Sequence, residues 1–393
     1  MPHTRNRTRN RYIQHWVHKL AKLWPVVGVY GLRQVGKSTL LRDLCRLTKS
    51  EVSLYDEATR SLAESSSANF LSRFEEPLLI DEIQKTPKLF DAIKLSVDQK
   101  RVPGRFFITG SMEFSQRVNI RESLTGRIGL VQLYPMTLGE SHDFSFEIDR
   151  NKPFHVEAMR LSNQNVSQYL SRGGMPTPMF LRDDAQRTLY FQSWVETTIF
   201  RDAARAYGRN YDPEFAFRLI QDIAALHANG IYPTTSQMRF DARKVKKYIQ
   251  AFCDVFLLNR ILIHEAGVGK DVYLLSDCGI ASYLMGSKAI SDSGTRSLLR
   301  ILILNEILAL NRYQGNLYIP LYYKSQKGEP VDLIWNNTPI VITTEAKINE
   351  WALRPLRGAM QKLSAQNGIV VGPFAKVEIS SKGVSFVPWS FWS

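Results

Sequence analysis

Between Trp24 and Glu140 the chain alternates short apolar runs with stretches whose apolar residues recur at helical spacing. "VVGVYG", "EVSLYD", "EPLLIDE", "RFFITGS" and "IGLVQLYPM" read as buried strands ending in polar residues, with the helical segments "KSTLLRDLCRL" and "PKLFDAIKLSVDQ" among them. Such alternation predicts an α/β fold with a parallel sheet covered on both faces. "SHDFSFEIDRNKP", polar and ended by proline, reads as a linker. From His155 to about Ala266 the pattern is mostly helical, broken at "RGGMPTP" and "HANGIYPTTS". Strands return in "VYLLSD", "NLYIPLYYKS", "EPVDLIWNN", "PIVITTEAKI" and "GIVVGP". A helix, "RSLLRILILNEILALNRY", precedes most of these, and "LRPLRGAMQKLSAQ" precedes the last. The expected organisation is a basic segment 1–22, an α/β domain 23–141, a helical lid or linker 142–210, a helix-turn-helix segment 211–265 and a second α/β domain 266–393. A chain of 393 residues is indeed too long for one ordinary core.

Composition changes this picture in one respect. Hydrophobic and charged fractions are those of an ordinary soluble protein, but the formal net charge is +14. A surplus of that size fits a polyanionic partner, nucleic acid or an anionic membrane surface, and equally a solvated basic surface. Cys45, Cys253 and Cys278 lie far apart, which argues against a zinc site or disulfide framework and fits a reducing cytoplasm. The longest apolar run, "LLRILILNEILAL", is broken by Arg300 and Glu306, so no membrane partner is expected. The N-terminal "MPHTRNRTRNRYIQHWVHKL" lacks the apolar core of a signal peptide. Its arginines read either as phosphate contacts or as a solvated tail.

The chemistry begins at "GLRQVGKS". Gly31 to Ser38 fits the phosphate-loop pattern, directly after an apolar strand and before an amphipathic helix. Glycines let the backbone curl until its N–H groups face phosphate oxygens. Gly31, Gln34, Val35, Gly36, Lys37, Ser38 and Thr39 are therefore candidate ATP contacts, Lys37 for the β- and γ-phosphates and the Ser38 hydroxyl for Mg²⁺. "LLIDEIQ" ends a strand in Asp81-Glu82, which predicts Asp81 as a second metal ligand and Glu82 as the group that polarises the attacking water. In "FFITGS", Thr109 and Ser111 suit a hydroxyl that senses the γ-phosphate or orients water, or merely end a strand. Arg127 in "SLTGRI" is a candidate arginine finger for a neighbouring subunit in a homo-oligomer, or an ordinary surface arginine. The implied cofactors are ATP and Mg²⁺.

Two further constellations lie downstream. In "PTTSQMRFDARKVKKYIQAFCDVFLLNRILIHEAG" a short helix, a turn and a longer helix are expected. Val245, Tyr248, Ile249, Phe252 and Phe256 share the core face, which turns Arg243, Lys244, Lys246 and Lys247 toward solvent. A helix-turn-helix presents such a helix to DNA, here with phosphate attraction and no evident base code; a protein-docking role with solubilising bases is the other reading. In "EPVDLIWNNTPIVITTEAKI", Asp332 on one strand with Glu345 and Lys347 sharing a face of the next forms a loose metal-dependent nuclease constellation.

Taken together, "GLRQVGKSTLL", "LLIDEIQKTPKLFDAIK", "FFITGS", "SLTGRI", "LYPMTLGE", "YLSRGGMPTP", "YLLSDCGIASYL" and "GEPVDLIW…TTEAKI" resemble bacterial and archaeal AAA-type P-loop ATPases followed by a domain of unknown function related to restriction nucleases. The resemblance implies an AAA-like P-loop NTPase core, a central winged helix and a restriction-endonuclease-like α/β domain at the C-terminus. It also implies two departures: Arg300 and Pro330 stand where the family tends to have glutamates, with Glu329 shifted by one. An arginine at a metal-ligand position opposes the cation, so a nuclease fold kept for binding is expected over an active one. The resulting expectation is a Mg²⁺-dependent ATPase that switches or moves a DNA-associated C-terminal half. The alternatives are an ATP-gated endonuclease and a nucleotide-responsive regulator of a protein partner with little turnover.

Overall fold

Branched and aromatic residues crowd the first half into five short strands: β1 Val26–Tyr30, β2 Ser50–Ser53, β3 Leu78–Asp81, β4 Phe106–Gly110 and β5 Ile128–Gln132. In the computed structural model, which describes residues 9–112, 124–144, 161–316, 318–380 and 382–389, these strands form one parallel sheet in the order β2-β3-β4-β1-β5. Every residue of β1 and β4 is buried, as expected of central strands covered on both faces. Gly28 is part of that packing, since a Cβ there would come within 2.6 Å of the Leu130 side chain. The covering helices include α1 Gln14–Leu23, which buries Val17 and Leu20, and α2 Lys88–Gln99, which buries Leu89, Phe90, Ile93 and Val97. Because the strands run the same way, the segments that leave β1, β3 and β4 emerge at one edge of the sheet. Strand β4 lies between β1 and β3, so the acid ending β3 reaches the loop after β1 across one intervening strand.

This sheet belongs to a first compact unit, Met1–Tyr134 with Arg312–Gly315; the second comprises Pro135–Asn311 and Asn316–Ser393. The second unit holds a two-stranded antiparallel sheet, β6 Leu258–Ile261 with β7 Val272–Leu275. It also holds a six-stranded mixed sheet built from β8 Leu321–Lys324, β9 Pro330–Trp335, β10 Thr338–Ile342, β11 Gly368–Gly372, β12 Glu378–Ile379 and β13 Val384–Pro388, in the order β12-β13-β11-β10-β9-β8. Strands β9 and β10 are joined by Asn336-Asn337, both at positive φ (45° and 61°). Such a pair suits the two-residue hairpin turn whose twist matches its strands. The helix Arg354–Leu363 buries Leu356 and Ala359 among the side chains of this sheet, with Val331, Ile334, Val370 and Val384.

Three sequence motifs with no chemistry of their own meet inside the second unit. The Gly174 carbonyl accepts from the Met136 amide (2.7 Å), and the Gly174 amide donates to Asp277 Oδ2 (2.7 Å). Leu138 N donates to Glu306 Oε1 (2.7 Å), and the Tyr169 hydroxyl donates to the Met136 carbonyl. Gly173 must lack a side chain here, because a Cβ would lie 2.2 Å from Asp277 Oδ1. "LYPMTLGE", "RGG" and "SDCG" are thus one buried polar junction. Burial pushes the Asp277 carboxyl up to about 6 and the Glu306 carboxyl upward as well.

Candidate nucleotide-binding site

The loop leaving β1 departs from ordinary backbone at three places: Gly31 (φ 144°), Gln34 (φ 60°) and Gly36 (φ 99°). A Cβ on Gly31 would strike the Leu133 carbonyl oxygen at 2.2 Å, so only glycine allows the loop to pass the neighbouring chain. Alternation between left- and right-handed backbone turns successive N–H groups to one side, which makes a concavity for an anion. Gly36 opens the helical segment Lys37–Thr39, and its conformation is one that residues with a side chain rarely adopt. Lys37 is buried and its Nζ donates to the Gly31 (3.1 Å) and Leu32 (2.9 Å) carbonyls. Val35 is buried, Ser38 and Thr39 are half-buried, and Gln34 is exposed.

The acids of β3 come to this loop. Ser38 Oγ donates to Asp81 Oδ1 at 2.8 Å, and the Thr109 hydroxyl donates to the same oxygen. Glu82 follows at φ 58°, a left-handed conformation unusual for glutamate, and is buried. Its Oε2 accepts from Ser111 Oγ (2.9 Å) and Gln84 Nε2 (2.5 Å), while its amide donates to Thr109 Oγ1 (3.3 Å). Thr109 and Ser111, expected to sense phosphate, are thus found holding the two acids. Gln84 is the residue that pattern reading missed. It lies in the tight turn Ile83–Lys85, which follows the left-handed step at Glu82. The pair Ser38 and Asp81 offers hard oxygen donors 2.8 Å apart, a set that fits Mg²⁺.

Arg127 sits elsewhere. Its carbonyl accepts from Val26 N at the start of β1, the edge of the sheet opposite the phosphate loop, about 15 Å away along a five-residue strand. Its guanidinium makes a two-point ion pair with Asp98 (2.6 and 2.9 Å) and donates to the Thr125 carbonyl. It does not reach the loop of its own chain.

In the second unit, Asp332 is buried on β9 and is engaged by groups other than the expected ones. Its Oδ1 accepts from Arg300 Nε (2.7 Å) and from the Tyr232 hydroxyl, and its Oδ2 accepts from Ile342 N (2.6 Å). Burial alone would push this carboxyl up; the Arg300 and Arg296 charges, with the Tyr232 and Ile342 bonds, hold it below the usual carboxylate range. Glu345 and Lys347, expected to share a strand face, correct that reading: β10 ends at Ile342, and both lie exposed beyond it. The cause is local, because the Thr343 hydroxyl accepts from Glu345 N (3.0 Å), a turn that competes with the ladder. Pro330 opens β9 and Glu329 is 3.7 Å from Arg354. Among the described residues, no group of three or more His, Cys, Asp or Glu is placed to hold a metal ion.

The basic helix Ala242–Asp254 is capped by Asp241, which accepts from Lys244 N (2.8 Å), and buries Val245, Tyr248, Ile249 and Phe252, with Phe256 buried just beyond it. It follows the helix Pro213–Ala228 and the turn Thr235–Gln237 and precedes the β6–β7 pair. Arg243, Lys246 and Lys247 are exposed. Lys244 is half-buried, 3.9 Å above the Phe215 ring and 3.5 Å from Asp212, and Lys247 lies 3.8 Å above the Tyr207 ring. Two of the four bases therefore lie over aromatic rings.

Residues 24–142 match a family model described as an AAA domain, and residues 163–291 match one described as a domain of unknown function (DUF8612). Residues 24–142, which hold the phosphate loop and both acids at the end of β3, are thus similar to AAA domains. Over 275 residues it is 26% identical to uncharacterized proteins of Mycobacterium bovis and Mycobacterium tuberculosis, covering 67% of this chain and 56% of theirs. The match thus spans little more than half the length of these curated relatives. Among solved structures it is similar to the Walker-type ATPase of Pyrococcus abyssi, with 14% identity, a TM-score of 0.36, and 69% of this chain and 94% of that one covered. It is also similar to AMPPCP-bound DnaA of Aquifex aeolicus, with 12% identity, a TM-score of 0.31 and coverage of 61% and 85%. No helix among the described residues is long and apolar enough to cross a membrane.

Proposed function

We propose that this chain is a Mg²⁺-dependent ATPase whose nucleotide cycle switches a DNA-associated C-terminal half. The observation that carries the reading is the hydrogen bond between Ser38 of the phosphate loop and Asp81 at the end of β3, with Glu82 next in line. Backbone amides of residues 31–39 would cradle the triphosphate, and Lys37 would exchange the Gly31 and Leu32 carbonyls for phosphate oxygens. Ser38 and Asp81 would hold Mg²⁺, which neutralises phosphate charge when bound. Glu82 accepts a proton from the attacking water once its Oε2 is released by Ser111 and Gln84. Arg127 serves only a neighbouring copy, after leaving Asp98. The basic helix with the β6–β7 pair behind it has the element order of a winged helix, and Arg243, Lys246 and Lys247 supply phosphate contacts. Phosphate release measured with and without duplex DNA tests both halves. Stimulation by DNA that fades at higher salt is expected; a rate indifferent to DNA at every salt concentration removes the nucleic-acid half.

One observation favours a second reading, a nucleotide-responsive regulator of a protein partner with little turnover. Glu82, the base, is held by two side-chain donors. Replacing Ser111 by Ala distinguishes them, since a restrained ATPase should speed up and a binding-only protein should not. The endonuclease reading has no comparable support, because Asp332 is engaged by Arg300 and Glu345 and Lys347 lie off the strand.

A further inference from the structure

Arg11 comes from the basic N-terminal segment, whose arginines read either as phosphate contacts or as a solvated tail. Instead it is 4% exposed, fixed by its neighbours Tyr12 and Ile13, which are also buried, and by the turn in which Gln14 N bonds the Arg11 carbonyl (3.0 Å). Its guanidinium spans two segments remote in sequence: Nη1 donates to the Val35 carbonyl (3.1 Å) and Nη2 to the Tyr134 carbonyl (2.7 Å). Val35 is the phosphate-loop residue immediately before Gly36. Tyr134 immediately follows Leu133, the residue against whose carbonyl Gly31 packs. One side chain thus ties the far end of the loop to the chain that supports its near end. Tyr134 is held from its other side as well, its amide donating to the Tyr313 hydroxyl (3.3 Å).

The consequence follows from peptide geometry. In a planar trans peptide the C=O and the next N–H point in opposite directions. With the Val35 carbonyl drawn toward Arg11, the Gly36 N–H is turned the other way, to the side on which the loop would receive an anion. An arginine side chain is always protonated, so the same contact polarises that peptide and makes its N–H a stronger donor. Gly36 gains no such restraint from itself, since glycine is the residue least able to hold one conformation.

We propose that Arg11 is a positioning residue for the phosphate site, orienting the Gly36 amide toward bound triphosphate; this rests on the nucleotide reading above. The test is titration of a fluorescent ATP analogue into the full chain carrying Arg11→Ala, Arg11→Lys or Lys37→Ala, alongside thermal unfolding without nucleotide. Affinity should fall about tenfold in folded Arg11→Ala, the size of a lost hydrogen bond from a charged group, and about threefold in Arg11→Lys, which keeps the charge but only one bond. Added guanidinium ion should restore part of the Arg11→Ala loss where sodium does not. Parental affinity in folded Arg11→Ala overturns the proposal; if that variant does not fold, parental affinity in Arg11→Lys does so instead. Lys37→Ala keeps the two failures apart. Unchanged binding there removes the phosphate site itself, whereas loss there beside parental binding in Arg11→Ala removes only the clamp.

Discussion

Asp81 and Asp332 are both aspartates of strands, both expected to hold a metal, and the structure gives them opposite surroundings. Asp81 is half-buried and accepts from two neutral hydroxyls, those of Ser38 and Thr109. Those partners carry no charge, so a cation would have only hydroxyls to displace or share. Asp332 is buried, and a guanidinium lies against it, with Arg296 a further 4.0 Å contact. A metal there would have to expel Arg300 and leave its charge in a dry interior. The lesson is that an acid's partners, more than its strand position, decide whether it serves a cation or the fold. Tyr232, Gly230, Arg300 and Ile342 all converge on the Asp332 pair, so it joins the middle segment of the second unit to its large sheet.

The largest expected effect breaks the first half of this contrast. Glu82→Gln should lower ATP turnover by a factor of about 10² to 10⁴, the usual worth of a general base, with ATP affinity retained. Phosphate release beside nucleotide titration checks it; an undiminished rate would assign the base elsewhere. Next comes the second half. Asp332→Ala strands the Arg300 charge and should destabilise by about 3–5 kcal/mol in denaturant unfolding. Arg300→Met combined with Asp332→Leu should recover most of that loss, whereas a metal-binding role predicts no such recovery.

Much of the first site is legible in the sequence. The loop pattern, its strand and helix, and the acid at the end of β3 all follow from local spacing, because adjacent residues and one parallel sheet suffice to bring Ser38 to Asp81. Gln84 on Glu82 was not legible, since no local pattern announces a left-handed glutamate. Arg11 was missed for a related reason: charge count favours solvent, and its two carbonyl partners are 24 and 123 residues away. At the other end, an arginine opposing a cation was foreseeable, yet its direct pairing with Asp332 required the fold. The strand drawn through Glu345 and Lys347 failed because Thr343 and Thr344, β-favouring residues, prolong the strand pattern past Ile342 while the Thr343 hydroxyl bends the backbone.

A pH measurement sharpens the account of the buried pair. His227 is fully buried near Arg300, and burial first, then that charge, lower its pKa to about 3. It stays neutral in the fold while the unfolded chain takes up a proton near 6.5. Its contribution is therefore complete above pH 6.5 and is lost as pH falls toward 3. Between pH 7 and 5 the loss is about 2 kcal/mol. Asp277, held up to about 6 by burial, acts in the opposite direction over the same range, but is common to parent and variant. Unfolding at the two pH values should show a smaller acid loss in His227→Gln; equal losses would mean that His227 ionises within the fold.

The smallest effect concerns the basic helix. Lys246→Ala should lower the slope of log affinity for duplex DNA against log salt by about one, with little change among sequences. Lys244→Ala should cost stability before it costs affinity, because Lys244 already engages Phe215 and Asp212. Equal slopes for parent and Lys246→Ala would take the helix off the phosphate footprint.

The most direct measurement is steady-state phosphate release from ATP with Mg²⁺, by the parent chain and by Lys37→Ala. The account predicts turnover in the parent that disappears when Mg²⁺ is chelated and is lost in Lys37→Ala. Equal rates from the two proteins, or release indifferent to Mg²⁺, would contradict it.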